Sequence, residues 1–331
     1  MQQIKGMLFL LGAFTLAGTS VVAARYVTGK LGPYTITCVS LLFAILFLLP
    51  LTRWKAVESL FHLTGTDWIY LFFQSVCGVF LYRMFLLFGL LHTSSAEAGI
   101  LTGATPAITV ILSRFLLKEK ITSIKLLGIF CTVAGILLIQ NIFTSTDHFS
   151  MAHLVGNLFV ICSATCESLF NTCSKIAITT KKAGSSTTLS PIIQTILVSL
   201  IAIVLCLLPA SLEQPLALLA QADHTEWFAL IWYGVFVTAL AYIFWYAGIK
   251  HCTLSTAAAF SGMIPFTALV LSVLILKEQT TMQQWIGCIL LITSMVLIGF
   301  TKKSSNIKIK AKSENSSSVV ATSICTKKTT F

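Results

Sequence analysis

The chain has 331 residues, 56% of them hydrophobic and only 10% charged, with a mean hydropathy of +0.90. A soluble domain of this size must show water a far more polar surface, so the composition excludes one and indicates an integral membrane protein. The formal net charge of +11 does not point to a nucleic-acid partner, because the basic residues sit between apolar runs and in the tail rather than on an aromatic-studded patch.

A membrane-spanning helix needs about 20 mainly apolar residues. Ten such runs are expected in chain order, at about 6–25, 33–51, 68–90, 95–116, 124–142, 153–174, 188–208, 226–248, 255–276 and 284–300. The fold class is therefore all-α integral membrane, with helix neighbours set by mostly short loops. The first run ends in "VVAARY", which resembles a signal-peptidase site. Its length is that of a full span, however, so it is expected to be retained. Residues 301–331 are Ser- and Lys-rich and read as a disordered basic tail. Nine of the ten cysteines lie within or at the ends of apolar runs. They form no CxxC pair and no Cys/His zinc spacing, and act as small apolar residues. No metal or cofactor is expected.

Orientation follows from Lys and Arg placement. With the N-terminus in the cytoplasm, eleven basic residues fall on that side of the spans: Lys5, Arg53, Lys55, Arg114, Lys118, Lys120, Lys125, Lys175, Lys181, Lys182 and Lys250. Three, Arg25, Lys30 and Lys277, fall outside. Both termini are expected to be cytoplasmic, in a cell (inner) membrane.

The chain repeats itself. Shifted by 159 residues, Trp68 falls on Trp227, Gly89 on Gly248, His92 on His251, Gly103 on Gly262 and Pro106 on Pro265. Lys118-Glu119 falls on Lys277-Glu278, and Gly128 on Gly287. With a slightly different offset, Gly6, Arg25 and Pro33 match Gly156, Lys175 and Pro191. The expected domains are repeat 1 at 4–143, repeat 2 at 153–300 and the tail at 301–331. Each repeat holds five helices. An odd number places the second copy upside down relative to the first, giving two inverted five-helix repeats and a scaffold with two mirror-related states.

The segments "KEKIT…LLG" after Pro106 and "KEQTT…WIG" after Pro265 resemble the ends of EamA repeats of the drug/metabolite transporter superfamily. The resemblance covers about residues 4–300. It implies a ten-helix carrier without ATPase parts that moves amino acids, nucleoside-like metabolites or drugs. The sequence itself carries no GxxxxGK[ST], HExxH or GxSxG motif, so an enzyme is not expected.

Charges inside a bilayer are costly, and they mark function by default. Ser163, Glu167, Asn171 and Lys175 recur every four residues and share one helix face, a polar stripe that suits a cavity. Arg83 lies in the third run and Glu97 starts the fourth on the same side. They could form a structural ion pair, or Arg83 could take a substrate carboxylate while Glu97 takes a proton or an amine. At the Arg83 position of the second repeat stands Tyr242. With Trp245 and Tyr246 it could stack a flat ring or hold a cation, or it could belong to an interfacial belt. The hydroxyls of Thr102, Thr105, Thr109 and Ser113 are expected to bond mainly to their own helix.

The candidate substrate-binding residues are thus Arg83, Glu97, Glu167, Asn171, Tyr242, Trp245 and Tyr246. The partners are a small molecule and the lipid bilayer. The function expected is alternating-access transport of a zwitterionic or cationic metabolite. The resemblance suggests S-adenosylmethionine, exchanged for S-adenosylhomocysteine. The other reading is a broad-specificity amino-acid or drug exporter driven by the proton gradient.

Overall fold

The computed structural model describes residues 2–52, 60, 63–116, 122–139, 151–184, 189–252, 257 and 260–299. Lys118, Glu119 and the tail 301–331 lie outside the described residues, as do the side chains of Pro106, Ser113 and Lys175. Among the described residues the structure is helical, apart from one isolated bridge between Thr28 and Leu31.

Helix α1 is Gln2–Val27 and α2 is Pro33–Leu48, extended by a 3-10 turn at Leu49–Leu51. Helix α3 is Gly65–Leu90. Helix α4 is built of Ser95–Leu101, a 3-10 turn at Thr102–Ala104 and a second stretch at Thr105–Leu116. The turn ends two residues before Pro106, which has no N–H to offer the preceding helical turn. Then come α5 (Ser123–Ile139), α6 (Met151–Gly184) and α7 (Pro191–Leu212). Helix α8 is His224–His251, α9 is Met263–Leu274 and α10 is Met282–Gly299. Helices α1–α4 and α6–α8 contain the seven candidate membrane spans, and α5, α9 and α10 supply three shorter apolar helices.

The bounds differ most from the sequence reading in three helices, one of them α7, which is Pro191–Leu212 against the expected 188–208. Helix α6 runs ten residues beyond the expected 174. Helix α9 starts at Met263, because the chain turns at Ser261–Gly262 and Pro265 enters the first helical turn, where a missing N–H costs nothing.

The surface is inverted relative to a soluble protein. Leu208, Leu212, Phe115 and Phe130 are exposed, while Arg83, Gln74, Asn157 and Gln284 are buried. That is the arrangement expected where the surrounding solvent is hydrocarbon. With no hydrophobic force to join helices in lipid, close approach through small residues does much of the joining. Gly6 of α1 packs on Gly248 of α8, and Gly156 of α6 packs on Gly89 of α3; a Cβ at any of the four would press on a facing carbonyl. These are the repeat-equivalent glycines, and they pair crosswise.

The same exchange governs the whole bundle. Helix α1 packs on α8 and α9, and α6 packs on α3 and α4, while α2 meets α7, α4 meets α9 and α5 meets α10. Helices α3 and α8 both begin with a capping box, Thr64/Asp67 in one and Asp223/Glu226 in the other, 159 residues apart. Residues of both repeats share one core cluster, including Val21, Ile36, Leu87, Leu101, Val160 and Leu230.

One end of the bundle is laced by charge. The Arg25 guanidinium donates to the Leu90 carbonyl (2.7 Å), and Lys30 pairs with Glu226. Glu213 accepts from the N–H groups of Tyr34 and Thr35 (3.2 and 2.7 Å) and from the Thr35 hydroxyl (2.8 Å), capping α2. Glu213 comes this close only because residue 32 is Gly; a Cβ there would overlap the carboxylate. Glu278 caps α4 in the same way, accepting from the N–H groups of Ser95 (3.2 Å) and Ala96 (2.9 Å).

Candidate functional site

The site begins with two irregularities in the backbone. Residues Val76–Leu81 of α3 and Tyr233–Leu240 of α8 are π-helical. Adding 159 to the first segment gives 235–240, so both repeats widen at the same place. A π segment adds a residue to the turn and shifts the hydrogen-bond register, freeing groups to bond sideways. Two of them do so, each into the other repeat. Arg83, just past the first π segment, donates from Nη2 to Thr238 in the second, while Thr238 donates to the Tyr233 carbonyl five residues back (2.8 Å). Tyr242, the repeat equivalent of Arg83, donates its hydroxyl to the Gly78 carbonyl in the first π segment (2.5 Å).

Arg83 is 4% exposed. Its Nη1 donates to the Ser40 hydroxyl at 2.7 Å, and its Cζ lies 4.2 Å from the Tyr233 ring centroid. All these partners are neutral. Among the described residues the guanidinium has no carboxylate partner, so a buried positive charge is held by hydroxyls and an aromatic face.

Beside it opens a cavity of about 610 Å³, counting the space at its mouth. Helix α3 contributes Gly78, Tyr82 and Arg83; α6 contributes Glu167, Phe170 and Asn171; α8 contributes Tyr233, Tyr242 and Trp245. Phe14 and neighbouring small residues of α1 close the remaining wall. Phe170 stacks on Tyr242 (5.5 Å between centroids, 24° between planes), and Trp245 meets Phe14 edge-on (5.6 Å, 69°). Glu167 faces the cavity and accepts from the Thr105 hydroxyl at 2.9 Å.

Five of the seven residues named from the sequence therefore line one space: Arg83, Glu167, Asn171, Tyr242 and Trp245. Tyr246 stands behind the lining, fully buried, with its hydroxyl donating to Gln74 Oε1 (3.1 Å). Glu97 stands apart. It is held at the charge-laced end by Thr93 (2.8 Å), His153 (3.4 Å) and Gln284 (3.4 Å). The Arg83–Glu97 ion pair considered from the sequence is absent, because Arg83 is taken by Ser40 and Thr238.

The α4 hydroxyls do bond to their own backbone: Thr102 to Gly99 O, Thr105 to Thr102 O and Thr109 to Thr105 O. Thr105 also reaches Glu167, and Thr109 reaches Ser168 (2.6 Å). The sequence reading missed Tyr233, Phe170 and the Ser40–Thr238 pair. The concentration of Tyr233, Tyr242 and Trp245 on one helix, at no regular spacing, was the available signal for the first. Among the described residues no cluster of His, Cys, Asp and Glu could hold a metal ion.

Comparison with known proteins agrees with this architecture. The sequence pattern of the EamA-like transporter family matches residues 4–140 and 154–300. The uncharacterized transporter YetK of Bacillus subtilis (strain 168) is 31% identical, over 91% of this chain and 89% of its own length. The uncharacterized transporter YyaM of the same organism is 24% identical, over 93% and 96%. A solved crystal structure aligns with a TM-score of 0.58 at 19% identity, covering 88% of this chain and 95% of that one; it shares the fold.

Proposed function

The chain belongs to the EamA-like transporter family, and on that premise we propose that it is a secondary transporter of ten spans. It would carry a small zwitterionic or cationic metabolite with a flat ring by alternating access. In this reading α5, α9 and α10 span the membrane together with the seven longer helices, and both termini face the cytoplasm of a cell (inner) membrane. The two inverted repeats rock about the cavity between the π segments.

One observation carries the reading. A buried arginine without a carboxylate partner among the described residues and a carboxylate line the same aromatic cavity. A molecule bearing both a carboxylate and a cation offers each what it lacks, and a planar ring matches the Phe170–Tyr242–Trp245 wall. S-adenosylmethionine has all three parts: an amino-acid end, a sulfonium and an adenine. In exchange with S-adenosylhomocysteine it is the first substrate to try.

The test is uptake of labelled S-adenosylmethionine into proteoliposomes against unlabelled S-adenosylhomocysteine, amino acids and cationic drugs. Wild type, Glu167→Gln and Arg83→Ala are compared. Saturable counter-exchange lost in both variants supports the reading. Proton-driven efflux of amino acids or drugs without S-adenosylmethionine exchange removes the named substrate in favour of the broad exporter. Unsaturable flux removes the carrier.

A further inference from the structure

Trp245 is 4% exposed, lines the cavity, and its indole N–H has no hydrogen-bond partner among the described residues. Its neighbours are rings that offer no in-plane acceptor to it: Phe14 at 5.6 Å and Phe170 at 6.3 Å. The indole N–H can only donate, and a buried donor left unpaired is destabilising. The hydroxyls of Tyr233 and Ser20 are two further such groups. Each residue is 1% exposed and lines the same cavity, and neither hydroxyl has a hydrogen-bond partner among the described residues. Twelve residues of α8 separate Tyr233 from Trp245, so along the helix they stand more than two turns apart. Arg83 lies over the Tyr233 ring, so the charged and hydroxyl-bearing end of the cavity is at Tyr233, while the indole donor lies toward the far end among aromatic faces.

Resting on the transporter reading above, we propose that Trp245 selects the substrate's ring by donating its indole N–H to an acceptor in the ring plane. The class favoured is then heteroaromatic. A ring nitrogen or ring carbonyl completes the indole's bonding while the faces stack on Phe170 and Tyr242. A hydrocarbon ring of the same shape leaves the donor unpaired, and a site built around such a donor discriminates against the analogue that lacks the acceptor.

The experiment measures competition binding and uptake in proteoliposomes with S-adenosylhomocysteine and its 1-, 3- and 7-deaza analogues, each with one adenine ring nitrogen replaced by CH and each long enough to reach from Arg83 toward Trp245. Wild type should bind at least one deaza analogue roughly tenfold more weakly than the parent. Trp245→Phe keeps an aromatic wall and should lose that preference while still binding both ligands. Arg83→Ala should weaken both about equally, leaving the preference intact. Equal binding of all four ligands by wild type, or a preference that survives in Trp245→Phe, overturns the inference and leaves the transporter reading standing. Failure of wild type to bind any of them removes the named substrate of the transporter reading, and this inference with it.

Discussion

At the residue scale the cavity turns on how Arg83 is held. Its planar fork reaches Ser40 on α2 and Thr238 on α8 at once while its face covers Tyr233. A lysine is a point charge on a flexible stem and cannot make both bonds together with the stacking contact. Arg83→Lys should therefore fold, yet bind a carboxylate-bearing substrate about tenfold to a hundredfold more weakly, the worth of a charge-assisted hydrogen bond or two. Arg83→Ala should lower the thermal midpoint further than Arg83→Lys, since it leaves two buried hydroxyls and a hole. Competition binding beside thermal unfolding separates the two effects. Wild-type affinity in Arg83→Lys would refute the role. The charge itself was legible in the sequence because a basic residue within an apolar run has few bland explanations. Its partners were not, since Ser40 and Thr238 lie 43 and 155 residues away and only packing brings them in.

At the element scale, the π segments explain why helical periodicity placed some side chains and missed others. Glu167 and Asn171 are one regular turn apart on α6, and a four-residue rule finds them. Tyr233 and Tyr242 straddle the register shift of α8, where counting by 3.6 fails. The glycine matches were legible for a simpler reason: a contact between backbones admits few other residues. Gly89→Val or Gly156→Val should each destabilise the protein by about 2 kcal/mol or block insertion, because a Cβ at Gly156 would stand 3.0 Å from the Gly89 carbonyl oxygen. Gly65→Ala is the control, with open space around it, and should leave the thermal midpoint unchanged.

The turn between α1 and α2 yields a prediction in pH. The hydrogen bond to Glu226 holds the Lys30 ammonium above its ordinary range, and the backbone N–H of Glu226 holds the Asp223 carboxyl below its own. A raised lysine stabilises fully below its unfolded value of about 10.4, and the benefit fades as pH rises through the folded value. The depressed Asp223 stabilises above about 3.9 and fades as pH falls through its folded value. The midpoint difference between wild type and Lys30→Met should thus be flat from about pH 5 to 9, shrink above about 10.4, and shrink again in acid as Asp223 protonates below about 3.9. A change centred near neutrality would show that another group controls the turn.

At the scale of the whole molecule, three carboxylate links at the charge-laced end cross from one repeat to the other. Lys30 of the first repeat holds Glu226 of the second, while Glu213 and Glu278 of the second cap α2 and α4 of the first. On the alternating-access mechanism proposed above, the rocking halves must break such links in one of their two states, and the links would then bias the equilibrium toward closure at that end. The charge-assisted bonds of Glu213 to the α2 N-terminus are worth about 1.5–3 kcal/mol, the exposed Lys30 pair adds little, and each 1.4 kcal/mol is a factor of ten in population. Lys30→Met combined with Glu213→Gln should therefore shift the population toward opening at that end by at least tenfold. Gln keeps the side-chain shape and an acceptor but gives up the charge.

Spin labels at His92 and His224, exposed residues of opposite repeats at that end, report the change in a background freed of other reactive cysteines. The double variant should gain a longer-distance component that wild type lacks, and substrate exchange should change with it. An unaltered distance distribution would reduce these contacts to helix caps. The crosswise helix pairing would then be a scaffold whose closure is set elsewhere, at the glycine contacts of α1 with α8 and of α3 with α6.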